Sequence, residues 1–437
     1  MGRIIELSGK YGKDCKIFTD NIESAALETI QAILDSSAFL DQRIRIMPDT
    51  HQGVGVVIGF TSTLGKMVNP NHIGRDIGCS VSAYRLNRKI AAEDYPIIEH
   101  RIRERVPMGM GNICEEVEYS EKELYNFLTT EYLRVQSAYP DLVNHITKID
   151  SNWISEFCKR IRIGEREFYK SLGSLGGGNH YIEYGEDREG FGWFSIHTGS
   201  RNLGQKVCDH WLSSGSKSIV REAIKEATKR IKETEPDRHK WSELIQESTK
   251  RIKEDNPDGY LHGESAIGYF SDMVITQAYA KFNHIQISRG LFEIAKKIYP
   301  DLNIQEKIIS THNYIDFSDM IIRKGAIRAN EGEKVLIPFN MRDGLGVFMG
   351  LGNSDWNYSA PHGSGRRLSR GKAYDTLDLE EFKETMDGIY STSVVQSTID
   401  ESPMAYKDTN EILELISGNT VELIEIIKPK INIKAIN

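Results

Sequence analysis

The segment Arg43-Ile44-Arg45-Ile46-Met47-Pro48-Asp49-Thr50-His51-Gln52-Gly53-Val54-Gly55-Val56-Val57-Ile58-Gly59-Phe60 sets the reading of the fold. Arg43 to Met47 and Val54 to Phe60 are apolar-rich runs of strand length. The stretch between them, Pro48 to Gly53, is rich in turn residues. Toward the N-terminus, Asn21 to Ser36 spaces its apolar residues as a helix does. Helix and strands therefore mix within residues 1–90, which points to an α/β architecture of the mixed α+β kind.

Further along, residues 91–170 read as mostly helical, with candidate helices near 92–105, 120–138 and 152–170. A charged helical hairpin follows at 216–254. Val220, Ala223, Ile224, Ala227 and Ile231 share one face of its first arm, and Trp241, Leu244, Ile245 and Ile252 one face of its second. Glu235-Pro236-Asp237 breaks the two arms. Its basic residues, such as Lys225, Lys229, Arg230 and Lys232, alternate with Glu, the pattern of a solvated face rather than an RNA surface. A long helical stretch covers 265–298, strands and loops dominate 307–375, and the remainder reads as mainly helical. No Pro/Ser/Gly linker divides the chain, and its chemically suggestive residues scatter from position 49 to position 407. The expectation is one compact catalytic domain, 1–437, with the hairpin 216–254 inserted in it.

Composition narrows the function classes. Of 437 residues, 39% are hydrophobic and 27% charged, which excludes disordered, collagenous and coiled-coil chains. No run approaches the roughly 20 apolar residues of a membrane helix, and Met1 to Glu6 carries neither a leader-like apolar block nor a myristoylation signal. A cytoplasmic protein without a membrane partner is expected. The net charge of -8 argues against a nonspecific nucleic-acid coat but leaves room for a local basic groove. Five widely spaced cysteines give no disulfide framework and no C-x-x-C pair.

Chemistry concentrates in four glycine-containing loops. In Asn71 to Ser80, Asp76 and Cys79 flank Gly78, and a carboxylate and a thiolate so spaced can face one metal ion. In Ser171 to His180, Gly173, Gly176, Gly177 and Gly178 let backbone approach a ligand closely. The loop is not a Walker A motif, because no G-K-[ST] follows. In Phe194 to Arg201 a strand delivers His197 into a small-residue turn, and His312 sits in a similar polar turn. Each of these histidines alone is more often structural than catalytic. Together with Asp76 and Cys79 they shift the balance toward a metal site. In Ala360 to Lys372, His362 stands beside Gly363 and Gly365 and near Arg366, Arg367, Arg370 and Lys372. Such a segment can bind polyphosphate, and its imidazole can attack phosphorus. The plain alternative is a basic surface loop, which would not require glycines next to the histidine.

These loops resemble those of the RtcB family of RNA ligases. The matching blocks are Met47 to Gly53, Asp76-Ile77-Gly78-Cys79, Gly177-Gly178-Asn179-His180, His197 to Arg201, Thr311-His312-Asn313, Arg323-Lys324-Gly325-Ala326, Val335 to Pro338, His362 to Arg366, and Ala405-Tyr406-Lys407-Asp408. They stand in family order over about residues 40–410.

The resemblance implies a GTP- and manganese-dependent ligase with the family's fold: mixed sheets around a central metal cleft. Such enzymes join RNA 3′-phosphate or 2′,3′-cyclic phosphate ends to 5′-hydroxyl ends in tRNA splicing or RNA repair, with an accessory activator among their expected partners. His362 matches the guanylylated histidine and Asp49 the carboxylate that orients its ring. Asp76, Cys79, His180, His197 and His312 match ligands of two Mn²⁺ ions that share the thiolate. Asn179, Glu183, Gly363, Ser364, Gly365 and Lys407 match the nucleotide-binding positions, with Glu183 and Lys407 at the guanine. Arg201, Arg366 and Arg370 are the candidate phosphate contacts of the RNA. Manganese enters through the resemblance alone, since a Cys/His/Asp donor set by itself favours a softer ion such as Zn²⁺ or Fe²⁺.

The chain departs from the family at Ser80-Val81, Phe339-Asn340, Ile322 and Ser364, the pattern of a divergent paralogue. None of these departures removes a candidate ligand or the nucleophile. Two other functions compete: a metal-dependent cyclic phosphodiesterase or phosphatase that never ligates, and a non-catalytic RNA-binding paralogue. A hydrolase needs no nucleotide-accepting histidine, and binding alone needs no such donor set.

Overall fold

The computed structural model of the chain describes residues 4–142, 146, 148–255 and 259–436. Its architecture is mixed α/β. A six-stranded sheet runs in the order Ile5–Leu7, Asp14–Ile17, Arg43–His51, Ile58–Thr63, Ile321–Lys324, Asn313–Asp316. A seven-stranded sheet runs Lys334–Pro338, Leu345–Gly350, Val421–Ile433, Tyr181–Glu186, Gly192–Thr198, Ser80–Leu86, Ile304–Thr311. Ala326–Arg328 and Ser359–Pro361 pair beside them. Only Asp14–Ile17 and Arg43–His51 pair in parallel; every other ladder between these strands is antiparallel.

The helix Gly263–Ile298, 36 residues long, joins two apolar cores. Its first half places Tyr269, Met273 and Tyr279 in a core shared with the six-stranded sheet and the helices Ser24–Leu34, Glu121–Ala138 and Ser151–Ile161. Its second half places Ile287, Leu291 and Ile294 against Tyr184, Phe194 and Ile196 of the seven-stranded sheet. One helix thus fixes the position of one sheet relative to the other. The segment read as a charged hairpin holds the helices Ser216–Thr234 and Trp241–Asp255, which pack on each other. Its apolar seam is only half-buried between its own arms. Among the described residues no helix is long and apolar enough to cross a membrane.

Three local expectations differ from the structure. Pro48 to His51 belongs to a strand rather than a turn, and the ladder to Ile58–Thr63 is irregular between Ile46 and His51. An irregularity of this kind is where a strand tolerates proline. The helix expected over 152–170 is two, Ser151–Ile161 and Glu165–Lys170, separated by Arg162 at φ 61°. The C-terminal region, expected as mainly helical, ends in the 13-residue strand Val421–Ile433. Pro429 hides that strand in the sequence and lies at a register shift of its ladder.

Candidate active site

The donor residues meet at one end of four adjacent strands. Asp76 and Cys79 stand in the turn that opens Ser80–Leu86, and His180 immediately precedes Tyr181–Glu186. His197 lies at the end of Gly192–Thr198, opposite Tyr181, and Ser80 pairs with both Thr198 and Thr311. His312 is the single residue between Ile304–Thr311 and Asn313–Asp316, where the chain passes from one sheet to the other. Its N–H donates to Cys79 O at 3.0 Å and its carbonyl accepts from Gly325 N at 2.8 Å, so the backbone fixes it beside the thiol.

Two trios result, Asp76/Cys79/His180 and Cys79/His197/His312, and Cys79 is common to both. Cys79 Sγ lies 3.5 Å from His180 Nε2 and 3.3 Å from His197 Nε2. His197 Nε2 lies 3.4 Å from His312 Nε2, and His180 Nε2 lies 3.1 Å from Asp76 Oδ2. His180 Nδ1 faces Leu175 O at 3.0 Å. A carbonyl only accepts, so Nδ1 carries a proton, and Nε2 is the ring nitrogen that faces the cluster. Burial pushes His197 and His312 well below the usual imidazole range, which keeps both neutral. Burial, then the charge of Asp76, pushes the Cys79 thiol far up. Burial also pushes Asp76 up, but the hydrogen bond and charge of His180 outweigh it and hold the carboxyl at about 2. Imidazoles, a carboxylate and a thiol that a bound cation would ionise form a donor set of the kind that holds a divalent metal ion. Gly176, at φ 101°, is required here: a Cβ would stand 2.0 Å from Arg201 Nη1 and 2.5 Å from His180 Nδ1.

A chamber of about 270 Å³ opens beside this cluster. Asn179, Glu183, His197, His362, Gly363, Ser364, Gly365, Arg366 and Arg370 all line it, as do Phe339 and Asn340. His362 follows the strand Ser359–Pro361, and its Nδ1 lies 2.7 Å from Oδ2 of the fully buried Asp49. The carboxylate therefore holds the Nδ1 proton and leaves Nε2 free. Gly365 brings this loop against Asp49: at φ 74°, a Cβ there would meet the Asp49 carbonyl oxygen at 2.2 Å. Among the described residues the buried hydroxyl of Ser364 has no partner, an orphan that suits a ligand oxygen. At the far end, burial raises Glu183 to about 8, although Asn432 Nδ2, donating to it at 2.8 Å, and Lys434 act in the opposite sense.

Lys407 is placed elsewhere. Its ammonium donates to the carbonyls of Pro48 and Thr50, each at 3.1 Å, and it lines a neighbouring cleft. Lys434 lines the chamber instead, with Nζ 3.3 Å from Asn179 O and 3.3 Å from Glu401 Oε2. Sequence reasoning missed Lys434 and Asn432. They reach the site because Val421–Ile433 pairs with Tyr181–Glu186 and sets Asn432 opposite Glu183. The three arginines also differ from one another. Arg366 donates to Glu401 at 3.3 Å and to Asp400 O at 2.7 Å, and Arg370 donates to Glu401 at 2.6 Å. Arg201 contacts Ser174 Oγ at 3.1 Å and Gly109 O at 3.3 Å, and among the described residues no carboxylate pairs with it. A larger cavity of about 470 Å³ lies behind Gly78. Its Lys281 is paired with Glu131, and its Arg328 with Asp316 and Glu333.

Fold and site together define a protein with a Cys/His/Asp donor cluster beside a chamber lined by His362, whose ring meets the Asp49 carboxylate. A family model described as "tRNA-splicing ligase RtcB" matches residues 32–435. The chain belongs to the RtcB family. It is 27% identical over 413 residues to an RNA-splicing ligase RtcB of Escherichia coli, covering 89% of this chain and 88% of that one. It is 27% identical over 427 residues to a tRNA-splicing ligase RtcB of Aeropyrum pernix, at 85% and 83% coverage. A relative from Mycobacterium tuberculosis named RNA-splicing ligase RtcB is 26% identical over 418 residues, at 84% and 91% coverage.

Proposed function

We propose that this chain is a GTP-dependent RNA ligase that joins RNA 3′-phosphate or 2′,3′-cyclic phosphate ends to 5′-hydroxyl ends. The observation that carries this reading is the Asp49–His362 pair at 2.7 Å inside the chamber that Asn179 and Glu183 also line. An Asp–His pair also serves hydrolases as a general base; its place in a chamber with Asn179 and Glu183, the nucleotide-binding candidates, favours a nucleotide-accepting role. His362 Nε2 attacks the α-phosphorus of GTP; an N–P bond forms, the bond to the bridging oxygen breaks, and pyrophosphate leaves. The imidazole becomes cationic as it attacks, and the Asp49 carboxylate stabilises that charge. An oxygen of the RNA 3′-phosphate then takes the GMP and frees His362. The RNA 5′-hydroxyl attacks the activated 3′-phosphorus, loses its proton and expels GMP.

Asp76, Cys79 and His180 would hold one Mn²⁺ and Cys79, His197 and His312 a second; when bound, the ions offset the triphosphate charge and polarise phosphorus. Ser364 and the backbone at Gly363 and Gly365 receive phosphate oxygens. Glu183 as a carboxylate accepts from the guanine N1–H and 2-amino groups, and Lys434 takes the place at the base for which Lys407 was the candidate. Arg201 is the phosphate contact we retain for RNA, since Arg366 and Arg370 are bound to carboxylates. The catalytic unit draws on residues 49 to 434 and leaves the hairpin at 216–254 outside the chemistry.

The test is joining of two RNA oligonucleotides, one ending in 3′-phosphate and one beginning in 5′-hydroxyl, with GTP and Mn²⁺. The expected product is a full-length strand that requires GTP. Removal of the phosphate without joining would favour the phosphatase reading.

A further inference from the structure

Behind the donor cluster, the long helix Gly263–Ile298 carries two adjacent buried polar residues, Asn283 and His284. Neither lines the chamber. Asn283 spans two ligand-bearing loops. Its Oδ1 accepts from Gly173 N at 2.7 Å, and its Nδ2 donates to Ser174 O at 3.1 Å, both in the glycine loop that leads to His180. The same Nδ2 reaches Thr198 Oγ1 at 3.3 Å and Gly199 O at 3.2 Å, directly after His197. Thr198 Oγ1 in turn donates to Leu175 O at 2.6 Å, the carbonyl that also takes the His180 Nδ1 proton. His284 joins a third element. Its Nε2 lies 3.0 Å from Thr198 O and must donate there, so its Nδ1 accepts from Ser82 Oγ at 2.9 Å, on the strand that follows Cys79.

We infer that Asn283 and His284 are positioning residues that set the distances between the Cys79, His180 and His197 donors. The chain of contacts is short: Asn283, Thr198, Leu175 O and the His180 ring. Every other partner of Asn283 is backbone of these same two loops. A purely structural asparagine would stabilise the core without setting the geometry of the donors. An asparagine with this role controls how well the donors meet an ion, because groups behind metal ligands typically change metal affinity 10- to 100-fold. The inference rests on the metal-binding reading of the cluster.

Co²⁺ alone, titrated into the full chain, tests it through the thiolate-to-cobalt absorption that Cys79 would give. Asn283→Ala should weaken Co²⁺ binding at least about tenfold and diminish that absorption. Asn283→Asp, which keeps the size but loses the donor, serves if the alanine variant does not fold. His284→Leu should weaken binding, while His284→Gln, which retains a donor toward Thr198 O, should restore it. Phe282→Leu is the control for stability: it lies one residue away, buried against Tyr119 and Phe127, and should lower the melting temperature without changing Co²⁺ affinity. Wild-type affinity and absorption in Asn283→Ala or Asn283→Asp would overturn the inference, as would an affinity loss in Phe282→Leu equal to theirs. Absence of any thiolate band in the unaltered chain would instead refute the metal reading itself.

Discussion

Asp49→Asn isolates the charge behind His362. The native carboxylate is fully buried, touches His362 Nδ1 at 2.7 Å and has a second oxygen without a partner among the described residues. Attack on GTP leaves a positive charge on the imidazole. Two unit charges about 4 Å apart interact by about 4 kcal/mol at an effective dielectric of ~20. At about 1.36 kcal/mol per decade of rate, losing that interaction slows guanylylation by about three orders of magnitude. The amide adds a second effect. If its nitrogen turns toward His362 it donates to Nδ1, which forces the ring proton onto Nε2 and removes the nucleophilic lone pair. The fold should tolerate the change, because it removes a buried charge rather than creating one. Single-turnover transfer of label from GTP, with a melting curve alongside, reads both. A loss under about tenfold in a stably folded variant would refute the reasoning.

Further outcomes follow from single residues. Cys79→Ala should lose more bound metal by elemental analysis than substitution of any of the other four cysteines, all of which are buried and free; equal loss for Cys114 or Cys208 would contradict the shared-sulfur cluster. Lys434→Met should weaken GTP binding, whereas Lys407→Met should leave it and lower stability by about 1–3 kcal/mol, since three carbonyls would lose their donor. Burial raises Glu183 from 4.5 to about 8, so its contribution to stability is full below about 4.5 and is lost as the pH rises through 8. In the same window the carboxylate forms and GTP affinity should rise. Glu183→Gln should flatten both profiles in denaturant and binding titrations, and profiles unchanged by the substitution would remove Glu183 from the base contact.

The parts of the site that sequence made legible are those whose chemistry is local. A thiol and a carboxylate three residues apart, histidines delivered by strands into glycine turns, and a histidine followed by Gly363 and Gly365 announce themselves within a few residues. The same loops carried the family resemblance, and the structure brings Asp76, Cys79, His180, His197 and His312 into one cluster. Lys434 and Asn432 were not legible because their role depends on long-range strand pairing. The pairing of Asn432 with Glu183 joins positions 249 residues apart, and Pro429 disguised the strand that makes it. The arginines near His362 read as free cations because sequence cannot show that Asp400 and Glu401 fold back onto them. Asn283 and His284 sit inside an apolar helix, where nothing local separates a polar staple from a tolerated core residue.

On the proposed mechanism, His362 becomes covalently guanylylated. The chain should be incubated with GTP labelled at the α-phosphate and with Mn²⁺, denatured, digested, and the label located by peptide mapping. Acid-labile GMP is expected on the His362 peptide and none in His362→Ala, with continued joining by that variant of RNA supplied with a pre-made 3′-diphosphoguanosine end. Label at another residue, or label surviving in His362→Ala, would contradict it.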